Sequence, residues 1–250
     1  MKYRIAIYAV ILAALLFGCA DSFDPIPKIE KAHKKSEFLS REVVSFNLDL
    51  KFGGKQRMKG KLTMLTNSTK AKIELADGSV LLYDGDKAYH SPNFANTQKA
   101  RFDAYTWPYF FLLPYKLADN GLIFKPYPKN EMGGKTYLTQ QLFFEPGTGD
   151  DPDDWYILFA DEETQLLHLA AYIVTAGKSQ AEAEKSPSAI SYHNYKVFNG
   201  VPFATEWKFH KWNKEEGITS DKGEGQLNNI VFKKVGANYF KPPENYIEAK

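Results

Sequence analysis

The chain has 250 residues, with 32 Lys and Arg against 30 Asp and Glu, a formal net charge of +2 and a single cysteine. A balance this close to neutral excludes the basic footprint that nucleic-acid binding needs, and one cysteine excludes an internal disulfide framework. Aromatic residues make up 15% of the chain, and the length suits one large packed domain or two small ones.

The first predicted element is a targeting signal. Lys2 and Arg4 stand before 13 apolar residues, Ile5 to Phe17, and the run ends at Leu16-Phe17-Gly18-Cys19. Two positive charges, a short apolar core and a small residue at a cleavage point predict a secretory signal peptide over residues 1–18. The run falls short of the about 20 apolar residues that a bilayer span needs. A sole cysteine placed directly after a small residue resembles the bacterial lipobox. That resemblance implies acylation of Cys19, which becomes the first residue of the mature chain. The plainer alternatives are an ordinary signal peptide with a chance cysteine, or a buried free thiol. Cleavage removes Lys2 and Arg4, so the mature chain is formally neutral. Its membrane link then rests on lipid and not on charge, and stable anchoring takes two acyl chains or more. Ala20 after Cys19 implies, by resemblance to sorting signals, the outer membrane. Asp21 and Asp24 leave the periplasmic and surface faces both open.

Residues 19–28, with Pro25 and Pro27, read as a polar tether. Ile29 to Arg41 is rich in Lys, Glu and Ala and free of Gly and Pro, which predicts a helix. From Val43 the period becomes two. Val44, Phe46, Leu48, Leu50 and Phe52 share one face, and after Gly53-Gly54 the positions Met58, Gly60, Leu62 and Met64 share another. Two alternating runs joined by Gly-Gly predict an antiparallel hairpin. Further strands are expected at 70–76, 79–83 and 87–91, separated by Asp77-Gly78 and Asp84-Gly85.

Phe102 to Leu117 breaks the pattern, with ten large apolar or aromatic residues among sixteen and two prolines. Without alternation, and with Pro inside, it is no central strand. A short helix with Pro108 in its first turn, ending near Pro114, is expected. Strands resume at 122–126, 135–145, 155–160, 166–175, 190–198, 203–212 and 226–233, and residues 177–188 read as a mobile surface loop. The expected fold is α+β, mostly β. A strongly curved antiparallel sheet, a half-open barrel, wraps around a short apolar lid helix and follows an N-terminal helix. Residues 29–250 form a single domain in this reading.

Three stretches resemble the LolA/LolB-type carriers and receptors of bacterial lipoproteins. Val80 to Pro92 matches that family's strand, Asp-Gly turn and strand with an aromatic residue and a later Pro. Trp107-Pro108-Tyr109-Phe110-Phe111-Leu112-Leu113 lies where the family has its apolar lid helix. Tyr239-Phe240-Lys241-Pro242-Pro243-Glu244-Asn245-Tyr246 is similar to its closing Phe-x-x-Pro segment. The order of parts spans residues 28 to 246. Asn67-Ser68 stands where the family commonly carries Arg-Pro, and a Cys19 anchor looks more like the receptor than the soluble carrier. The resemblance implies a half-open barrel with a helical lid and a lipid or acylated ligand. An envelope protein partner stays open.

The lid segment is the main candidate site. Trp107, Tyr109, Phe110, Phe111, Leu112, Leu113 and Tyr115, with Phe46, Leu48, Leu62 and Met64 of the first hairpin, are expected to line an apolar cavity. The alternative is that they simply fill the core, leaving an interaction lipoprotein with its business on the outer surface. Asp150, Asp151, Asp153 and Asp154 offer oxygen ligands for Ca²⁺ but lack EF-hand spacing, and a solvated acidic turn is the favoured reading. His33, His90, His168, His193 and His210 show no metal-binding spacing, although His168 and His193 can meet across neighbouring strands. There is no Gly-x-Ser-x-Gly elbow and no phosphate-binding loop. No catalytic residue, metal or cofactor is therefore assigned. A hydrolase built on a carboxylate pair, which leaves no local signature, is the remote alternative.

Overall fold

The computed structural model describes residues 24–128, 130–132 and 134–250. The expected signal peptide, Cys19 and the start of the tether lie outside the described residues.

A first group of strands follows two short helices: β1 (Val43–Phe52), β2 (Lys55–Leu65), β3 (Ala71–Leu75), β4 (Val80–Tyr83) and β5 (Ala88–His90). Each pairs antiparallel with the next. The second group runs β6 (Leu122–Pro126), β7 (Asn130–Met132), β8 (Lys135–Phe144), β9 (Trp155–Asp161), β10 (Leu167–Tyr172), β11 (Ser188–Phe198), β12 (Val201–Asn213) and β13 (Gly217–Lys233). A last short strand, β14 (Ile247–Glu248), adds to β5. One long-range pairing, β1 on β13, welds the two groups into one sheet. The strand order is β14-β5-β4-β3-β2-β1-β13-β12-β11-β10-β9-β8-β6, with β7 beside β8. The two ends of that path do not pair, so the sheet curves without closing.

The alternation expected from the sequence holds from Phe46 to Leu50 and lapses at the start of β1, where Val43 and Ser45 on the opposite face are buried as well. Phe46, Leu48 and Leu50 of β1 and Leu62 and Met64 of β2 are all buried, while Asn47 and Asp49 are half-buried. These residues join the main core with Trp207 and Phe209 of β12. Curvature needs close approach, and Gly223 of β13 supplies it. It faces Phe52 on one side and Phe209 on the other, and those rings lie 4.9 Å apart. A Cβ there would sit 2.4 Å from the Lys51 carbonyl oxygen.

Strands β8–β12 also bury part of their outer face. Trp155, Ile157, Phe159, Leu169, Ala171, Ala189 and Trp212 form a second core, capped by Ala183 of a short helix, α4 (Gln180–Ala183). That two-sided burial is why β9 reads W-Y-I-L-F-A without alternation. The loop expected over 177–188 thus contains a helical turn, closed by a reciprocal Ser179–Glu182 capping box.

Three expectations need correction. The N-terminal helix is two helices, α1 (Ile26–Ala32) and α2 (Lys35–Leu39), broken where Lys34 adopts φ +58°. The break turns the chain so that Ile29 and Phe38 are both fully buried, with Phe38 stacked on Tyr115 at 3.9 Å. The apolar helix, α3 (Thr97–Leu112), is 16 residues long, and Pro108 lies inside it and not in its first turn. Its true start is Asn96, whose side chain accepts the Lys99 amide N–H at 2.9 Å. Strand β13 extends nine residues ahead of the expected Gln226. Its Gly-rich first half carries no periodic signal and is held by pairing with β12 and β1.

Candidate functional site

Helix α3 crosses the inner face of the sheet and packs on β3, β4 and β5. Its two sides do different work. Ala100 and Phe111 press into the core, whereas Gln98, Arg101, Phe102, Tyr105 and Tyr109, spaced three or four apart, border open space. That space is a groove of about 1300 Å³. Its opposite wall carries Leu122 of β6, Phe144 of β8, Tyr156 of β9, Tyr172 of β10 and the loop bearing Asp150, Asp151 and Asp154.

Of the residues expected to line a cavity, Trp107, Tyr109, Phe110 and Leu112 border the groove. The remainder lie in the packed interior beneath it. Phe111 is stacked between Phe46 at 4.3 Å and Phe203 at 5.3 Å. Leu48, Leu62, Met64 and Leu113 are at most 1% exposed. Tyr115 donates its hydroxyl to the Pro202 carbonyl at 3.1 Å. Helix α3 is therefore core on one side and cavity wall on the other.

Polar groups punctuate the groove. Arg57 of β2 makes a two-pronged ion pair with the fully buried Asp103 of α3, at 2.6 and 3.1 Å. The Trp107 indole N–H donates to the same carboxylate at 2.8 Å. This network ties α3 to the first hairpin. Arg101 pairs with Asp150, and Lys116 pairs with Asp119 at 2.6 Å. Asp154 accepts both the amide N–H and the hydroxyl of Thr175 at 2.7 Å. Burial nevertheless pushes its pKa up to about 6. Burial likewise raises Asp150 and Asp151, with Arg101 pulling the other way, and lifts Tyr105 to about 12. The acidic loop is thus partly enclosed against the groove and is not merely a solvated turn. Its carboxylates diverge to separate partners, and no group of three or more metal-ligating side chains converges among the described residues.

On the outer face, His168 and His193 do meet, with ring centroids 5.5 Å apart. The Ser191 hydroxyl lies 2.7 Å from His193 Nε2 and 2.8 Å from His210 Nε2, and His210 Nδ1 lies 2.8 Å from Asp221. The connectivity is that of a nucleophile, base and acid, but a nucleophile must reach its substrate. Ser191 sits mid-strand at 1% exposure, with its hydroxyl shared between two imidazoles. The array links β11, β12 and β13 as a polar network, buried at Ser191 and His210 and exposed at Asp221.

The fold is LolA-like. A LolA superfamily protein from Nitrosomonas europaea superposes with a TM-score of 0.57 at 8% identity, over 86% of this chain and 97% of that one. A DUF1329 family protein from Desulfovibrio piger gives 0.55 at 12% identity, over 88% and 98%. A domain described as an outer membrane lipoprotein-sorting protein, from Vibrio parahaemolyticus, gives 0.52 at 11% identity, over 86% and 97%. No family model matches the sequence, and no curated protein does.

Proposed function

We propose that the protein is an outer-membrane-anchored lipoprotein of the bacterial envelope that binds a lipid or acylated ligand between the curved sheet and helix α3, without catalysis. The observation that carries this reading is the groove of about 1300 Å³ walled by the aromatic side of α3. Sites for compact small molecules span roughly 300–1000 Å³, so a groove of this size suits an extended ligand. Burying ten methylenes yields roughly 8 kcal/mol gross, against an association cost of about 4–15 kcal/mol. A long chain is needed for useful affinity, which favours a full acyl group over a short one. Trp107, Tyr109, Phe110 and Leu112 are the proposed contacts, and Phe46, Leu48, Leu62, Met64, Phe111, Leu113 and Tyr115 form the packed layer that holds them. The LolA-like neighbours, one of them described as a lipoprotein-sorting domain, favour an envelope location and a carrier or binder over an enzyme.

The reading is tested with a dansylated fatty acid. Wild type is expected to bind it, and Tyr109→Glu or Phe110→Asp to weaken binding about tenfold or more. Absence of probe binding by a folded wild type would overturn it. Anchoring has its own test: Cys19→Ser is expected to abolish incorporation of labelled fatty acid and release the protein from membranes, and continued labelling would defeat the lipidation reading. A second reading, a surface-interaction lipoprotein with a filled core, draws on the ring stack Phe46–Phe111–Phe203 that fills the interior beneath α3.

A further inference from the structure

One corner of the groove differs from the rest. Tyr109 of α3, Tyr156 of β9 and Tyr172 of β10 form a ladder, with centroids 5.5 Å apart for the first pair and 5.8 Å for the second, stacked pair. Phe144 meets the edge of Tyr156 at 6.0 Å. Tyr156 and Tyr172 are only 6% and 8% exposed, yet their hydroxyls have no hydrogen-bond partner among the described residues. Neither oxygen is sealed off, since the sealed and unpartnered polar atoms among the described residues are His33 Nδ1 and Trp212 Nε1. Both rings line the groove, so the hydroxyls open into it. Nearby tyrosines are satisfied within the protein: Tyr192 donates to the Phe110 carbonyl at 2.9 Å, and Tyr195 to that of Leu167 at 2.7 Å.

The second feature is charge. Asp103, Asp119 and Asp150 each have a cation: Arg57, Lys116 and Arg101. Asp154 has none among the described residues. It meets the Thr175 amide and hydroxyl, and its charged neighbours are Asp151 and Asp153 on its own loop. From the packed elements it faces Tyr109, Tyr156 and Tyr172, each of which feels its charge. An unneutralised carboxylate beside electron-rich ring faces and open hydroxyls attracts a cation and repels an anion.

We propose that this corner is a head-group subsite for an amphiphile carrying a primary amine or quaternary ammonium, its apolar chain running along helix α3. The assignment rests on the reading of the groove as an amphiphile site. The rings hold the cation by their faces, Asp154 supplies the countercharge, and the hydroxyls of Tyr156 and Tyr172 bond to neighbouring polar atoms of the head.

Three ligands with one chain and different heads decide it: dodecyltrimethylammonium, dodecyl maltoside and dodecyl sulfate. Each is titrated calorimetrically into the purified full chain, below its micelle concentration. The cationic ligand is expected to bind about tenfold more tightly than the maltoside, the scale of a desolvated cation–π contact joined to a countercharge, and the sulfate most weakly. Asp154→Asn is the informative variant, because both Thr175 bonds go to the one oxygen that asparagine keeps. It is expected to erase the cation preference and leave maltoside binding unchanged. Lowering the pH below about 6 is expected to do the same in wild type, as Asp154 takes up a proton. Equal affinity for all three heads, or a preference that survives Asp154→Asn, would overturn the subsite and leave the groove reading standing. Binding of none would overturn both.

Discussion

Asp103 has a side chain with 0% exposure and carries a charge that Arg57 neutralises. Removing one partner of such a pair strands the other and typically costs about 3–5 kcal/mol. Arg57 is 24% exposed, so Asp103→Ala is expected near the lower end, about 3 kcal/mol, read as a reduced urea midpoint with an unchanged slope. A loss under about 1 kcal/mol would show the pair to behave like a surface one. His33 gives a pH dependence. It is buried, its Nε2 accepts the Leu167 amide N–H at 3.0 Å, and desolvation lowers its pKa from 6.5 to about 3. Below pH 6.5 the unfolded chain binds the proton that the folded chain refuses. The stabilisation is therefore complete above pH 6.5 and declines as pH falls toward 3. The decline is about 1.4 kcal/mol per pH unit, with His168, lowered to about 4 by burial, adding to it. His33→Phe is expected to cost stability at neutral pH, by leaving the Leu167 amide unpaired, and to remove about 2 kcal/mol of the loss between pH 6.5 and 5. An unchanged slope would mean that His33 titrates alike in both states. Neither network was legible in the sequence, because Arg57 and Asp103 stand 46 residues apart and His33 and Leu167 stand 134 apart.

At the scale of elements, helix α3 is read correctly as apolar and wrongly as to where it starts. Pro108 is a strong local signal and drew the helix start toward itself, whereas the operative cap is Asn96, three turns earlier. The alternation of β1 and β2 was legible because a strand with one buried face leaves a period of two. The first half of β13 was not, since it is largely exposed and is held by backbone pairing with its neighbours and not by a buried face of its own. The half-core, half-wall character of α3 was equally hidden, for nothing local separates Phe111 from Tyr109. Truncation separates them. Phe111→Ala breaks the stack with Phe46 and Phe203 and is expected to cost about 3–5 kcal/mol. Tyr109→Ala removes a ring from a wall already open and is expected to cost about 1–2 kcal/mol. Equal losses in denaturant titrations would mean that the groove side is packed as tightly as the core.

For the whole molecule, an unclosed sheet with a helix across its inner face leaves space that the protein's own side chains do not fill, and the groove is that space. The sequence carried the half-open barrel through its strand count, its Gly turns and the Trp107–Leu113 run. The acidic loop against the groove and the tyrosine corner were not legible, because they join residues from one helix, two strands and a loop that only the curvature brings together. A bound amphiphile stabilises the folded state by mass action, so the protein taken from cells is expected to retain one. Native mass spectrometry of the protein purified gently from bacterial envelopes tests this most directly. The account expects a single lipid-sized adduct on the wild type, lost in the folded Tyr109→Glu variant. Wild-type protein that flies repeatedly as the bare polypeptide, or an adduct that persists undiminished in Tyr109→Glu, would contradict it.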